Sequence, residues 1–385
     1  MVRRIYIIYH EDFRLHSIEL AHPENPVRFD LGLEGIRGLA GIVSGRRVRL
    51  IEPPTGSLGI FKRVHSSSYV DWISSILRSR KTLWLDSDTY VSSGSIDALS
   101  RLAGAVQRAI VLALRGESSL ILGRPPSHHA GFNGRAMGAP SQGFCIFNAT
   151  ALIGSILSKH GKTVIVDFDV HHGNGTQEIL YNRGDITHID IHQDPSTTFP
   201  YTGYPDQIGD GEGRGTKINI VVPPISGDDI YLDALRLVEI ILDYIKPDFI
   251  VASAGFDAFR GDTDAVLSNV GSKFYYMIGR LLSAKNKIAV VTVLEGGYGD
   301  GLRRGLPAYI AGLLGVRKYP LDPMSYSSRG AWKLYWEYKR HLINNIIENS
   351  KIMLPEEYVR EYQYNKWRTI KSNIRRKHRR TRKRR

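Results

Sequence analysis

From about residue 98 onward, short apolar runs rich in β-formers alternate with longer stretches in which apolar residues recur every three to four positions. The longer period predicts helices at Ile96–Leu114, Asn148–His160, Asp228–Ile245, Lys273–Ala284 and Leu302–Leu314. Between them, the short runs predict strands near Ser119–Leu122, Thr163–Phe168, Ile186–Ile191, Ile218–Val222, Phe249–Ala252 and Ile288–Leu294. The opening MVRRIYIIYHEDF holds only five consecutive apolar residues, Ile5 to Tyr9, which predicts a first buried strand and not a signal peptide. Such alternation predicts an α/β fold with a central parallel sheet and helices on both faces. No internal repeat is visible.

After about Gly315 the pattern changes. Trp332–Ile347 is aromatic and amphipathic and predicts one more helix packed on the domain, and the chain then grows steadily more basic from Pro355 to Arg385. The chain therefore divides into an α/β domain over 1–316, a helical extension over 317–354 and a basic, disordered tail over 355–385.

Composition adds little to the fold and more to the partners. Hydrophobic residues make up 42% of the 385 residues and charged residues 23%, ordinary for a globular protein. No apolar run reaches the length of a membrane span, so no membrane contact is expected. Cys145 is the only cysteine, which excludes an intrachain disulfide and an all-thiolate zinc site and suits a reducing cytoplasm. Of the formal charge of +14, ten positive charges lie in Lys371–Arg385, which has no acid, so the rest carries only +4. That run reads as a solvated, disordered tail, with nucleic acid as the sharper alternative partner.

The unusual polar residues gather where predicted strands end. Asp167, Asp169 and His171 close one strand, His192 and Asp194 the next, while Asp257 and the segment Glu295–Tyr298 follow two later ones. Open parallel sheets build their sites beyond the carboxyl ends of the strands. Asp169 and His171 stand two apart, so an extended segment projects both to one side, and Asp257 can complete an Asp/His/Asp metal set with a position left for water. Taken alone, an Asp-x-His pair is more often a capping carboxylate beside a hydrogen-bonded core histidine. A second cluster, RPPSHHA at Arg124–Ala130, offers His129 as a proton carrier. Tyr298, in EGGYGDG, can donate to an oxyanion, although a lone Gly-Gly-Tyr is also simply a turn.

The segments RPPSHHA, GFCIFNATA, VDFDVHHGNGTQEIL, IHQDP, GEGRGTKIN, SAGFDAFRGD and LEGGYGDG stand here in the order and approximate spacing of one family. With HPENPVR and VHSSSYVDWI before them, the chain resembles the histone deacetylase and acetylpolyamine amidohydrolase family over about residues 1–316, in its class II-like pattern. The resemblance implies the arginase/deacetylase fold and a zinc-dependent amidohydrolase acting on linear amides. It makes Asp169, His171 and Asp257 the zinc ligands, His129 the general base and acid, and His128 its electrostatic support. Asp167 would hydrogen-bond His128, in a segment where the family also binds a structural potassium ion. Asn174 falls where some members carry an Asp behind the catalytic His, and an amide there would support imidazolium less strongly. Tyr298 becomes the transition-state donor. Gly143, Phe144 and Phe199 match the walls of the substrate tunnel, Asp88 a rim acid that grips the substrate backbone, and Asp264 an acid near the tunnel mouth that favours a second substrate amine. Asp264 is equally a residue that caps a surface turn.

A binuclear ureohydrolase of the same fold is excluded by two positions. Such an enzyme needs a carboxylate two residues beyond the His, where Gly173 stands, and a second Asp-x-Asp, where Ala258 and Phe259 follow Asp257. The implied function is removal of the acetyl group from acetyl-lysine in proteins, with acetylpolyamine hydrolysis as the alternative. A non-catalytic acetyl-lysine or nucleic-acid-binding protein is more remote, because every chemical position is filled by a competent residue.

Overall fold

The computed structural model describes residues 4–262, 268–284 and 288–364. Its strands are β1 (Ile5–Ile8), β2 (Val48–Ile51), β3 (Leu83–Trp84), β4 (Tyr90–Val91), β5 (Ser118–Ile121), β6 (Thr163–Asp167), β7 (Ile186–Gln193), β8 (Lys217–Val222), β9 (Phe249–Ala254) and β10 (Ala289–Leu294). The helices are α1 (Val27–Arg37), α2 (Ser67–Arg78), α3 (Ser95–Leu114), α4 (Ala149–Leu157), α5 (Asn174–Leu180), α6 (Asp228–Ile245), α7 (Ser272–Ser283), α8 (Leu306–Leu313), α9 (Arg329–Asn349) and α10 (Glu356–Tyr364).

Eight strands form one parallel sheet in the order β2-β1-β5-β10-β9-β6-β7-β8, and β3 and β4 pair as a separate antiparallel ribbon. β9 and β10 lie deep in this sheet, and all six residues of β10 are buried. Crossovers between parallel strands are right-handed, so helices on leftward moves cover the face opposite to those on rightward moves. The contacts follow that rule. Helices α2, α3, α4 and α5 touch one another along the rightward path from β2 to β7, while α1, α8, α7 and α6 form the second group along the leftward returns. The chain leaves β5, passes over to β6, runs out to β8 and returns through β9 and β10 into the gap it had left. The predicted parallel sheet with helices on both faces is thus the architecture found.

Beyond the domain, α9 packs along the edge strand β8, and α10 packs on α9. A helix laid on an edge strand removes a surface open to unwanted pairing. Tyr358 and Tyr362 of α10 are buried, so residues Glu356–Tyr364, assigned above to a disordered tail, form a docked helix. The rest of that segment, 365–385, lies outside the described residues, as does Asp264. No helix among the described residues is long and apolar enough to cross a membrane.

Candidate active site

Four adjacent central strands, β5, β10, β9 and β6, send their carboxyl-end loops to one place. There a cavity of about 310 Å³ is lined by His128 and His129 after β5, Asp169 and His171 after β6, Gly296 and Tyr298 after β10, and Gly143, Phe144, Phe199, Asp88, Pro23 and Pro126 around them.

On its floor Asp169, His171 and Asp257 bring three ligand atoms within 4.8 Å of one another. His171 Nδ1 lies 3.1 Å from Asp169 Oδ1 and 3.2 Å from Asp257 Oδ2, so one nitrogen and two carboxylates converge on one point. Asp169 and His171 stand in a bend and not in an extended strand. They converge because Asp169 Oδ1 also accepts the His171 amide at 2.9 Å, which folds the segment back on itself. Burial would lower the His171 imidazole, yet the two carboxylates lift it to about 10. Burial and the Asp169 charge together push Asp257 up to about 7. Two buried carboxylates around one imidazole are a set of charges that a divalent cation would balance, and mixed N and O donors suit zinc. The approach is tight: a Cβ on Gly296 would stand 2.1 Å from Asp257 Oδ2.

Above the floor, the two histidines are held differently. His128 Nδ1 faces Asp167 Oδ2 at 3.0 Å, whereas His129 Nδ1 faces Asn174 Oδ1 at 2.8 Å. Asn174 Nδ2 donates to the Ala136 carbonyl at 3.0 Å, so its oxygen is the atom turned to His129. His129 Nδ1 must then carry the hydrogen, which leaves Nε2 as the acceptor. Burial would lower His128 too, but Asp167 and Asp169 hold it well above its ordinary value. Burial and the charges on His128 and His171 hold His129 well below it. Neighbouring imidazoles are thus driven to opposite protonation states.

The walls are aromatic. Phe199 meets His129 edge-on at 4.9 Å between centroids, and Phe144 meets Tyr298 edge-on at 6.0 Å. Gly143 lies at φ +52°, and a Cβ there would come within 2.5 Å of His129 and 2.7 Å of Phe199, so only glycine fits. Asp88 lines the rim and accepts from Thr89 Oγ1 at 2.7 Å and from Ser141 Oγ.

Several supporting residues were given no role from the sequence. Glu295, fully buried at the end of β10, accepts the Ser127 amide at 2.6 Å, the Ser127 hydroxyl at 2.7 Å and the His128 amide at 3.1 Å. It ties the histidine loop to the central sheet. Asp262 accepts the Tyr298 amide at 3.0 Å and the Gly299 amide at 2.9 Å. Arg28 donates to the Gly297 carbonyl at 2.7 Å and lies 4.5 Å over the Tyr298 ring. The one signal for these was their place inside the motifs LEGGYGDG, SAGFDAFRGD and HPENPVR. Conversely, His192 and Asp194 do not reach the cavity. His192 lies within β7, 2.6 Å from Asp190 Oδ1 and 2.9 Å from the Gly203 carbonyl, and Asp194 is taken up by Ser196 and Tyr338. A second group able to hold a cation, Asp167, His188 and Asp190, is fully buried.

Comparison with known proteins agrees with this geometry. The family model described as histone deacetylase domain matches residues 22–313. A probable deacetylase of Methanothermobacter thermautotrophicus is 37% identical over 319 residues, covering 82% of this chain and 92% of that protein. The crystal structure of the HDA15 HD domain superposes with a TM-score of 0.77 at 29% identity, covering 90% of this chain and 94% of that one. An acetylpolyamine aminohydrolase from Burkholderia pseudomallei shares the fold, with a TM-score of 0.70 at 23% identity over 82% of this chain and all of that one. The loops that close four central strands around an Asp/His/Asp floor are therefore those of a deacetylase, and the chain belongs to the histone deacetylase and acetylpolyamine amidohydrolase family.

Proposed function

We propose that the chain is a zinc-dependent deacetylase that hydrolyses the acetyl amide of acetyl-lysine in proteins. The observation that carries this reading is the convergence of Asp169, His171 and Asp257 at the foot of a cavity that His129 and Tyr298 also line. Zinc held by those three residues would supply Lewis acidity to the amide carbonyl and acidify water. His129, kept neutral by burial and by the charges on His128 and His171, has Nδ1 turned to Asn174, and its Nε2 takes a proton from the attacking water and returns it to the departing amine. His128, held charged by Asp167, favours negative charge nearby. Tyr298 donates its hydroxyl to the carbonyl oxygen as charge gathers there, and the Asp262 and Arg28 contacts hold its loop.

The aliphatic part of acetyl-lysine would pass between Phe144, Phe199 and Gly143 to the rim, where Asp88 accepts from the substrate backbone. Apart from the carboxylates of the metal set, Asp88 is the one carboxylate lining the cavity among the described residues, and Ser141 and Thr89 already bond it. A second cationic amine, as in an acetylpolyamine, would find little free charge there. We also infer a structural potassium ion beside Asp167. Register sets Asp167 opposite Asp190 across β6 and β7, both carboxylates are buried, and the His188 ring nitrogens make no hydrogen bond. The segment Lys371–Arg385 is the proposed contact for nucleic acid. The deciding experiment compares kcat/KM of the zinc-loaded chain for an acetyl-lysine peptide and for acetylputrescine and acetylspermidine. Preference for the peptide supports the reading; preference for either polyamine makes the chain an acetylpolyamine amidohydrolase; turnover of neither overturns it.

A further inference from the structure

Phe199, one wall of the cavity, sits on the connection between β7 and β8, and that connection is held on two sides. On its inner side the catalytic domain grips it. His172 Nδ1 lies 2.9 Å from Thr202 Oγ1, and His192 Nε2 lies 2.9 Å from the Gly203 carbonyl. On its outer side the partners come from α9, beyond the family match that ends at residue 313. The Tyr338 hydroxyl donates to Asp194 at the start of the connection, Asn345 Nδ2 donates to the Pro205 carbonyl at 2.9 Å, and the Asn349 side chain accepts from Arg214 at 2.7 Å near its end. Residues 338, 345 and 349 are spaced by seven and four, which puts them on one face of the helix. Thus one stripe of α9 touches the beginning, middle and end of the segment that carries Phe199.

We propose that α9 is a brace for the substrate wall, and that Tyr338 and Asn345 are positioning residues that act on substrate through Phe199. This rests on the reading above that Phe199 borders the substrate chain. A helix needed only to cover the edge strand β8 would do so with apolar residues, as Leu342 and Ile346 do from within α9. The polar stripe instead ends on one loop, whose tip is open: Tyr201 is 58% exposed and Tyr204 42%. A wall that touches the substrate chain in ground and transition state alike contributes uniform binding, so loosening it should raise KM and spare kcat.

The test uses the full zinc-loaded chain with Tyr338→Phe and Asn345→Ala combined, and Asp194→Asn as a second route to the same contact should the double variant fold poorly. Amide hydrogen exchange across residues 196–207 should quicken, and KM for an acetyl-lysine peptide should rise roughly three- to tenfold, the worth of about one net hydrogen bond, with kcat within about twofold. Arg236→Ala, which removes the ion pair from α6 to Glu361 of α10, is the control and should leave both readouts unchanged. Wild-type exchange and KM in the double variant would overturn the proposal, and so would an equal KM change in the control. Failure of the wild-type chain to turn over any acetylated amine would overturn the functional reading instead, while exchange still decides the brace.

Discussion

Charge is buried in two places, and the two are built on opposite terms. At the carboxyl ends of the central strands, Asp169 and Asp257 crowd one imidazole, and Asp167 stands opposite Asp190 with His188 making no hydrogen bond beside them. At the joint between α6, α9 and α10, buried Lys339 meets Asp233, donates to the Asp233 carbonyl at 3.2 Å and to the Tyr362 hydroxyl at 3.3 Å, and lies 4.4 Å over the Tyr362 ring. Burial works against the Asp233 carboxylate, but Lys339 holds it below the usual range. Inside a protein, a buried charge must be neutralised or paired. The joint pairs its charges within the chain, which is what a structural contact requires. The strand ends converge ligands and leave the charge to be balanced from outside, which is what a cation site requires.

Substitution should separate the two. Asp257→Asn keeps an oxygen for the Val170 amide, 3.1 Å away, and removes a carboxylate that burial and the Asp169 charge oppose. Zinc, expected at about one per chain by elemental analysis, should be lost together with turnover, while the thermal midpoint of the metal-free chain should hold or rise. A drop in that midpoint would mean that the Asp169/His171/Asp257 group is a structural ion network. At the joint the expectation reverses. Lys339→Met leaves Asp233 with Arg236 at 3.5 Å as its remaining ionic partner, so denaturant unfolding should show a loss of about 3 kcal/mol, the low end for breaking a buried pair. Turnover per folded molecule should stay at the wild-type level.

What could be seen in the sequence follows the same division between local and distant causes. Strands such as β10 (AVVTVL) are nearly continuous apolar runs because the sheet is covered on both faces, so they stand out from the pattern alone. The edge strand β2 (VRLI) is partly exposed, and α5 is seven residues long and opens with Asn-Gly, so neither carries a periodic signal. Asp169 and His171 were legible because their spacing is local. Asp262 supports Tyr298 from 36 positions away, Arg28 reaches Gly297 across 269, and Tyr338 reaches Asp194 across 144. No spacing rule connects such pairs; only the strand order does. The docking of Glu356–Tyr364 was hidden in the same way, because its charged residues read as tail while Tyr358 and Tyr362 pack on the Lys339 cluster.

Within the site itself the comparison sharpens at Tyr298. Tyr298→Phe removes one hydroxyl from a ring held by Phe144 and Arg28, so the side chain should keep its place. Loss of one preorganised oxyanion donor costs about 10²–10³ in kcat, or roughly 3–4 kcal/mol. KM for the acetyl-lysine peptide should change little, because the interaction belongs to the transition state. A raised KM at constant kcat would make Tyr298 a binding residue and remove it from the mechanism.

The smallest effect on catalysis belongs to the basic run, and the joint decides where to cut. Truncation after residue 350 would remove α10 and with it the Tyr358 and Tyr362 rings that flank Lys339, so it should destabilise the fold and cloud any reading of the tail. Truncation after Tyr364 keeps that joint whole and removes all ten positive charges of Lys371–Arg385. No residue of the candidate site lies beyond that cut, so kcat and KM on a short acetyl-lysine peptide should match the full chain. Binding to a DNA duplex is where the two chains should part. The full chain's log K should fall with log salt by about 0.9 for each phosphate neutralised, and the truncated chain should lose both the affinity and the slope. A truncated chain that binds duplex with the same slope would place the polyanion contact on the folded domain, whose net charge outside Lys371–Arg385 is only +4.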